Sequence, residues 1–161
     1  MPTKRHMKHF LLIAALVAGL VACDDETKVC DTDTRTELRA SFVYFKDSSD
    51  MQHDTVFRKV SFGALGKDSI YRRQPGLRGL QFQLDRVSDS ARFFFQTDST
   101  AAVDTITFRY RRQPHFVSAG CGVVMYFNLD TVFSTRRVIR SITIHQPAIT
   151  TVNEKNITLH F

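Results

Sequence analysis

The sequence predicts an all-β domain, folded as a two-sheet antiparallel sandwich and preceded by a helical signal peptide. Three observations carry this. The 161 residues hold 14 Phe and 4 Tyr but no Trp, 7 Gly and 4 Pro, and they are rich in Thr, Val and Ile, a bias toward strands. Apolar residues recur at every second position in short runs, the period of a half-buried strand. Turn signals separate these runs at spacings of about 8–12 residues, as in sandwiches. An immunoglobulin-like Greek key is the first topology expected and a closed lipocalin-like barrel the alternative.

Residues 37–45 alternate, with Leu38, Ala40, Phe42 and Tyr44 on one face. Residues 46–54 read as a polar loop. A second strand is expected over 55–62, with Val56, Val60 and Phe62 in phase, then a turn over 63–69. Ser69–Arg73 reads as a short edge strand closed by Gln74-Pro75-Gly76, since Pro-Gly favours a type II turn. Leu80, Phe82 and Leu84 alternate with glycine and glutamine. Residues 92–96 form an apolar strand. Over 103–112 Ile106, Phe108 and Tyr110 face inward, Arg109 and Arg111 outward. Cys121, Val123, Met125, Phe127 and Leu129 fall in phase, which points Cys121 inward; Asn128-Leu129-Asp130 ends that strand, and residues 132–134 form a short one. A strand over 138–145 with Ile142 and Ile144 inward, a stop at Gln146-Pro147 and a last strand with Ile157, Leu159 and Phe161 inward complete the domain.

Ahead of this domain, Lys4, Arg5 and Lys8 precede an apolar run over residues 10–22. A membrane-spanning helix needs about 20 apolar residues, and this run is shorter and ends in small ones, as an export signal does. Leu20-Val21-Ala22-Cys23 resembles the motif cut by lipoprotein signal peptidase. That resemblance implies that Cys23 is the lipid-attachment site and the first residue of the mature chain. The expected organisation is a signal peptide over 1–22, an acidic polar tether over 23–36 and the sandwich over 37–161.

The mature chain would have 139 residues, enough for one domain to bury about two-thirds of its unfolded surface. Of the 22 Lys and Arg, three lie in the leader, as do none of the 16 Asp and Glu, so the mature side chains carry 19 positive and 16 negative charges, net +3. An exported chain of that charge is not expected to meet nucleic acid. With Cys23 lipidated, Cys30 and Cys121 remain as a pair in a compartment that permits disulfides; two free thiols are the alternative.

Few residues invite a chemical reading. Asp31-x-Asp33 lacks the further ligands and glycine of a calcium loop. Ser49, His53 and Asp54 share one loop, whereas a catalytic triad is assembled by a fold around an oxyanion hole. Gly63-Ala64-Leu65-Gly66-Lys67-Asp68 has two residues between its glycines where a P-loop needs four. His53, His115, His145 and His160 show no metal-ligand spacing, so neither metal nor cofactor is expected. Asn156-Ile157-Thr158 matches a glycosylation sequon that bacteria rarely use. Arg109, Arg111 and Arg112, with His115, form the densest basic patch, and Arg136, Arg137 and Arg140 a second. Such patches contact anionic headgroups, glycans or acidic partners, or else protect strand edges.

The lipobox with Asp24, Asp25 and Glu26, Cys30-Asp31-Thr32, Gly66-Lys67-Asp68-Ser69, Phe95-Gln96-Thr97-Asp98-Ser99-Thr100, Cys121-Gly122-Val123-Val124-Met125-Tyr126 and Gln146-Pro147-Ala148-Ile149-Thr150 follow in order. Together they resemble a family of small Bacteroidota outer-membrane lipoproteins of unknown function. The resemblance implies an outer-membrane address, on the periplasmic face or the cell surface, shared cysteine positions and an outer-membrane β-barrel protein as partner. It implies no catalytic residue. The expected function is therefore a non-catalytic accessory or interaction module, with a binding module for an anionic glycan or lipid as the alternative and an enzyme third.

Overall fold

The computed structural model describes residues 29–45 and 52–161. The leader, Cys23 with its acidic neighbours, and Ser49 lie outside the described residues. The described residues fall into two units. One comprises Val117–Gly122 and the chain up to Thr32; the other, Asp33–Phe116 with Val123–Phe161, is the sandwich.

Eleven strands run through the described residues: β1 (Leu38–Phe45), β2 (Gln52–Asp54), β3 (Val60–Ala64), β4 (Ser69–Gln74), β5 (Gly79–Phe82), β6 (Ser90–Gln96), β7 (Asp104–Ser118), β8 (Gly122–Ser134), β9 (Ser141–Ile144), β10 (Ala148–Ile149) and β11 (Ile157–His160). The chain is all-β, and its two sheets pack as a sandwich, not as a closed barrel. One sheet follows the order β2-β1-β11-β9, with β5 also on β1; the other runs β10-β8-β7-β6-β3-β4.

Phenylalanines on facing strands join the sheets. Phe42 of β1 meets Phe95 of β6 edge-on at 5.7 Å, and Phe82 of β5 meets Phe93 of β6 at 4.7 Å and Phe108 of β7 at 5.5 Å. Such pairs add about 0.5–1.5 kcal/mol each beyond the area they bury. Phenylalanine carries no polar atom to satisfy, which suits a core closed on both sides. The expected inward sets Leu38, Ala40 and Phe42; Leu80, Phe82 and Leu84; Ile106, Phe108 and Tyr110; and Ile157, Leu159 and Phe161 are all buried. Gly76, with φ +67°, supplies the left-handed residue of the turn after Pro75. Gly79 lies where a Cβ would collide with the Ala40 carbonyl, so only glycine lets β5 close on β1.

Several expected boundaries shift, each for a local reason. β3 starts at Val60, and Val56 is exposed; Phe57 instead bridges Leu77 and sets its ring 4.7 Å from that of Phe161. Tyr44 is exposed and Val43 buried. β7 continues through Pro114. Its register with β6 ends at Arg109, and the Tyr110 N–H donates to Asp89 O at 3.0 Å. By alternation the nitrogen of Pro114 faces the same side, beyond the end of β6, where no donor is needed. β8 runs through Asn128–Asp130 without a break. Cys121 sits half-buried in the turn ahead of β8, Val123 is exposed and Val124 is buried, so the expected phase does not hold there. β9 is only four residues long, because the N–H groups of Arg137, Val138 and Ile139 turn to a carboxylate: Asp104 Oδ1 accepts from Arg137 N at 2.8 Å, and Oδ2 from Val138 N at 2.7 Å and Ile139 N at 2.8 Å. Thr135 Oγ1 donates to Asp104 Oδ1 at 2.6 Å.

β11 pairs with β1 in parallel, Ala40 opposite Ile157 and Phe42 opposite Leu159, an exception to the expected antiparallel pairing. It lies between β1 and β9, so all of Asn156–Phe161 is buried. Asn156 fixes this register. Its Oδ1 accepts from Arg39 N at 2.9 Å, its own N–H donates to Arg39 O at 2.9 Å, and its Nδ2 donates to the carbonyls of Gln146 and Ala148, both at 3.1 Å. Every polar atom of this amide is engaged, which leaves no room for a glycan at the sequon. Asn156→Ala is expected to cost about 2–4 kcal/mol, since it leaves several buried backbone groups without partners. Urea unfolding measures this; a loss under 1 kcal/mol would contradict the assignment.

A candidate binding groove along the seventh strand

β7 supplies the most built surface among the described residues. Its even positions Ile106, Phe108 and Tyr110 are buried against the core, which turns Arg109 and Arg111 outward. The Tyr110 hydroxyl donates to Asp85 O at 3.0 Å, and burial, reinforced by the Asp85 charge, pushes its pKa up to about 12. Tyr110 is thus a neutral anchor holding the 85–89 turn beside the strand. Next to it opens a groove of about 840 Å³, lined among others by Asp89, Arg109, Arg111, Arg112, Met125 and Asp130.

The three arginines share this groove, and their charges are partly met. Arg111 Nε donates to Asp130 Oδ1 at 3.1 Å. Arg112 Nε donates to Asp89 Oδ1 at 2.6 Å, and its Nη1 to Arg86 O at 3.2 Å. The Arg109 guanidinium lies 5.9 Å from the Phe133 ring centre, a cation–π contact. Exposed pairs of this kind contribute about 0–1 kcal/mol, so their main effect here is to orient the guanidinium groups. Three cations against two carboxylates leave the groove weakly positive, with both donors and acceptors on its lining.

Arg136, Arg137 and Arg140 do not join this groove. All three are exposed on and beside the loop that wraps Asp104. A second groove of about 480 Å³, lined in part by Lys67, Asp68, Asp85, Arg86 and Arg92, mixes both signs of charge.

The histidines are dispersed. His53 and Asp54 are successive residues of β2. His115 stacks on Tyr126 with ring centres 4.6 Å apart. His145 Nε2 and Thr158 Oγ1 are 2.8 Å apart, and Thr158 Oγ1 is 3.0 Å from Ser41 Oγ, a polar row from β1 across β11 to the residue after β9. His160 Nε2 lies 2.9 Å from Thr143 Oγ1, and burial, with the neighbouring His145 charge, pushes its pKa down. Among the described residues no group of three or more His, Cys, Asp or Glu could hold a metal ion. Asp31 and Asp33 form no cage: Asp33 Oδ1 accepts from Arg35 N at 3.0 Å and Oδ2 from Arg35 Nη2 at 3.1 Å.

Cys30 and Cys121 form a disulfide, with Cα atoms 4.7 Å apart. It ties the segment before the sandwich to the turn between β7 and β8, and the Cys121 N–H donates to Ser118 Oγ at 3.1 Å within that turn. Three features went unforeseen: the Asp104 knot, the Asn156 clamp and the acidic partners of Arg111 and Arg112. Each joins residues far apart in the chain, and no local motif announces them.

No curated protein matches the chain, and no solved structure matches it. A family model does match, over residues 59–161, from β3 through β11, which takes in the whole groove. The chain belongs to that family, DUF6452, a family of unknown function.

Proposed function

We propose that the protein is a lipoprotein of a Bacteroidota-type outer membrane, anchored through Cys23, and that its sandwich is a non-catalytic interaction module docking an outer-membrane partner. The observation that carries the anchor is Leu20-Val21-Ala22-Cys23 behind a basic, then short apolar leader. Two or more acyl chains on Cys23 hold a protein stably at a membrane, at about 0.8 kcal/mol per buried CH₂. The docking reading rests on the outward face of β7 and its groove, where Arg111 and Arg112 donate to Asp130 and Asp89. An outer-membrane β-barrel protein is the partner to seek. The side chains of His145 and His160 bond to threonines of the sheet, and the Asp104 carboxylate is taken up by loop closure.

In-cell crosslinking from this face is the test. A single β-barrel protein is expected to be captured, and Arg109→Glu with Arg111→Glu is expected to abolish its capture. Capture unchanged by the double substitution would contradict docking by this face. Globomycin is expected to leave an unprocessed precursor; normal processing under the drug would remove the anchor.

A second reading is favoured by the groove itself: a binding module for an anionic glycan or lipid. Asp89 and Asp130 would repel a bare dianion, whereas sugar hydroxyls can use both the donors and the acceptors there.

A further inference from the structure

We propose that the turn end of the β7–β8 hairpin is a foot that dips apolar side chains into the phospholipid interface holding the protein's own anchor. The inference rests on the anchor reading at Cys23. Cys30 lies seven residues after Cys23, a chain span of at most about 25 Å at 3.3–3.6 Å per residue. The disulfide carries that limit to Cys121, whose Cα is 4.7 Å from that of Cys30. The tether therefore keeps the turn between β7 and β8 near the membrane, while the 15 residues of β7, about 50 Å of strand, lead away from that turn.

The sequence around that turn suits an apolar interface. From Gln113 to Leu129 there is no Asp, Glu, Lys or Arg, in a chain of which 24% is charged. Phe116 is 64% exposed and Val123 63%, both close in sequence to Cys121, and Val29, next to Cys30, is 88% exposed. Exposed apolar residues this close to a membrane tether have an apolar phase within reach, so they need no protein partner. The stacked His115 and Tyr126 rings are amphipathic, as residues at the headgroup level commonly are. Arg111 and Arg112 follow further along β7. The tether segment itself holds Asp24, Asp25, Glu26, Asp31 and Asp33 against Lys28 and Arg35, so attraction to anionic lipid is not the driving force. Apolar insertion is.

The absence of Trp gives a direct test. Full-length acylated protein carrying Phe116→Trp or Val123→Trp is reconstituted into phosphatidylethanolamine–phosphatidylglycerol vesicles with brominated acyl chains. Ile70→Trp, on the edge strand β4 and also exposed, is the reference. Both foot probes are expected to shift to the blue and to be quenched about threefold more than the reference, as side chains within the acyl boundary are. Opening the bridge with Cys30→Ser and Cys121→Ser is expected to remove most of that difference. Vesicle-bound protein whose foot probes behave like Ile70→Trp would overturn the foot and leave the anchor standing. Protein that does not float with the vesicles would overturn the anchor, and the foot with it.

Discussion

Asp104→Ala is expected to destabilise the domain by about 3–5 kcal/mol, the scale for breaking a buried, hydrogen-bonded charge, and to lower Tm by about 10–20 °C. Asp104 is fully buried at the start of β7. Its carboxylate closes the loop after β8 by accepting three backbone N–H groups and the Thr135 hydroxyl. Alanine leaves those N–H groups without acceptors inside the protein. Asn keeps one acceptor oxygen but aims an NH₂ at other donors, so Asp104→Asn should recover little. Burial alone would push this carboxyl up; the hydrogen bonds from Arg137, Thr135, Ile139 and Val138 override it and hold its pKa below the ordinary value. A folded value below the unfolded one gives stability that is complete above about pH 4 and is lost as pH falls through the folded value. Denaturant titrations from pH 7 down to pH 2 should therefore show an acid loss in the parent that is markedly smaller in Asp104→Asn. Equal slopes in the two proteins would contradict the role given to this residue.

Opening the Cys30–Cys121 bridge should have an effect of similar size. The two cysteines are 91 residues apart, and cross-linking a loop of that length restricts the unfolded chain by about 4–5 kcal/mol on the loop-entropy account. The loop encloses β1 to β7, so the restriction acts on most of the sandwich strands. Reductant should lower Tm by about 10–20 °C in the parent and leave the Cys30→Ser, Cys121→Ser double variant unmoved, at the lower value. A parent Tm indifferent to reductant would show that the bridge contributes nothing to stability.

What could be read along the chain followed from period and punctuation. Phe62, Phe82 and Phe108 are buried where alternation places them, because a strand buried on one face writes its environment into every second residue. The bridge could be read from the number of cysteines once one had been given to lipid. Alternation does not describe β11, where Thr158 and His160 are buried along with Ile157, Leu159 and Phe161. It failed again where a side chain replaces a strand as hydrogen-bond partner. Residues 137–139 look strand-forming, yet their N–H groups go to Asp104, more than 30 residues earlier. The groove was half legible. Arg109 and Arg111 were expected on one outward face and are there, but Asp89 and Asp130 come from other strands and turns. Their arrival changes the patch from a cationic stripe to a lining that holds both donors and acceptors.

The docking face and the membrane foot both presuppose that the sandwich hangs from a lipid at Cys23. Intact-mass measurement on protein extracted from native membranes, without reductant, tests this directly. The expected mass is that of a chain beginning at Cys23, increased by a diacylglycerol and an amide-linked acyl chain and decreased by two hydrogens for the Cys30–Cys121 bridge. A chain that retains residues 1–22, or one that begins elsewhere and carries no lipid, would contradict it.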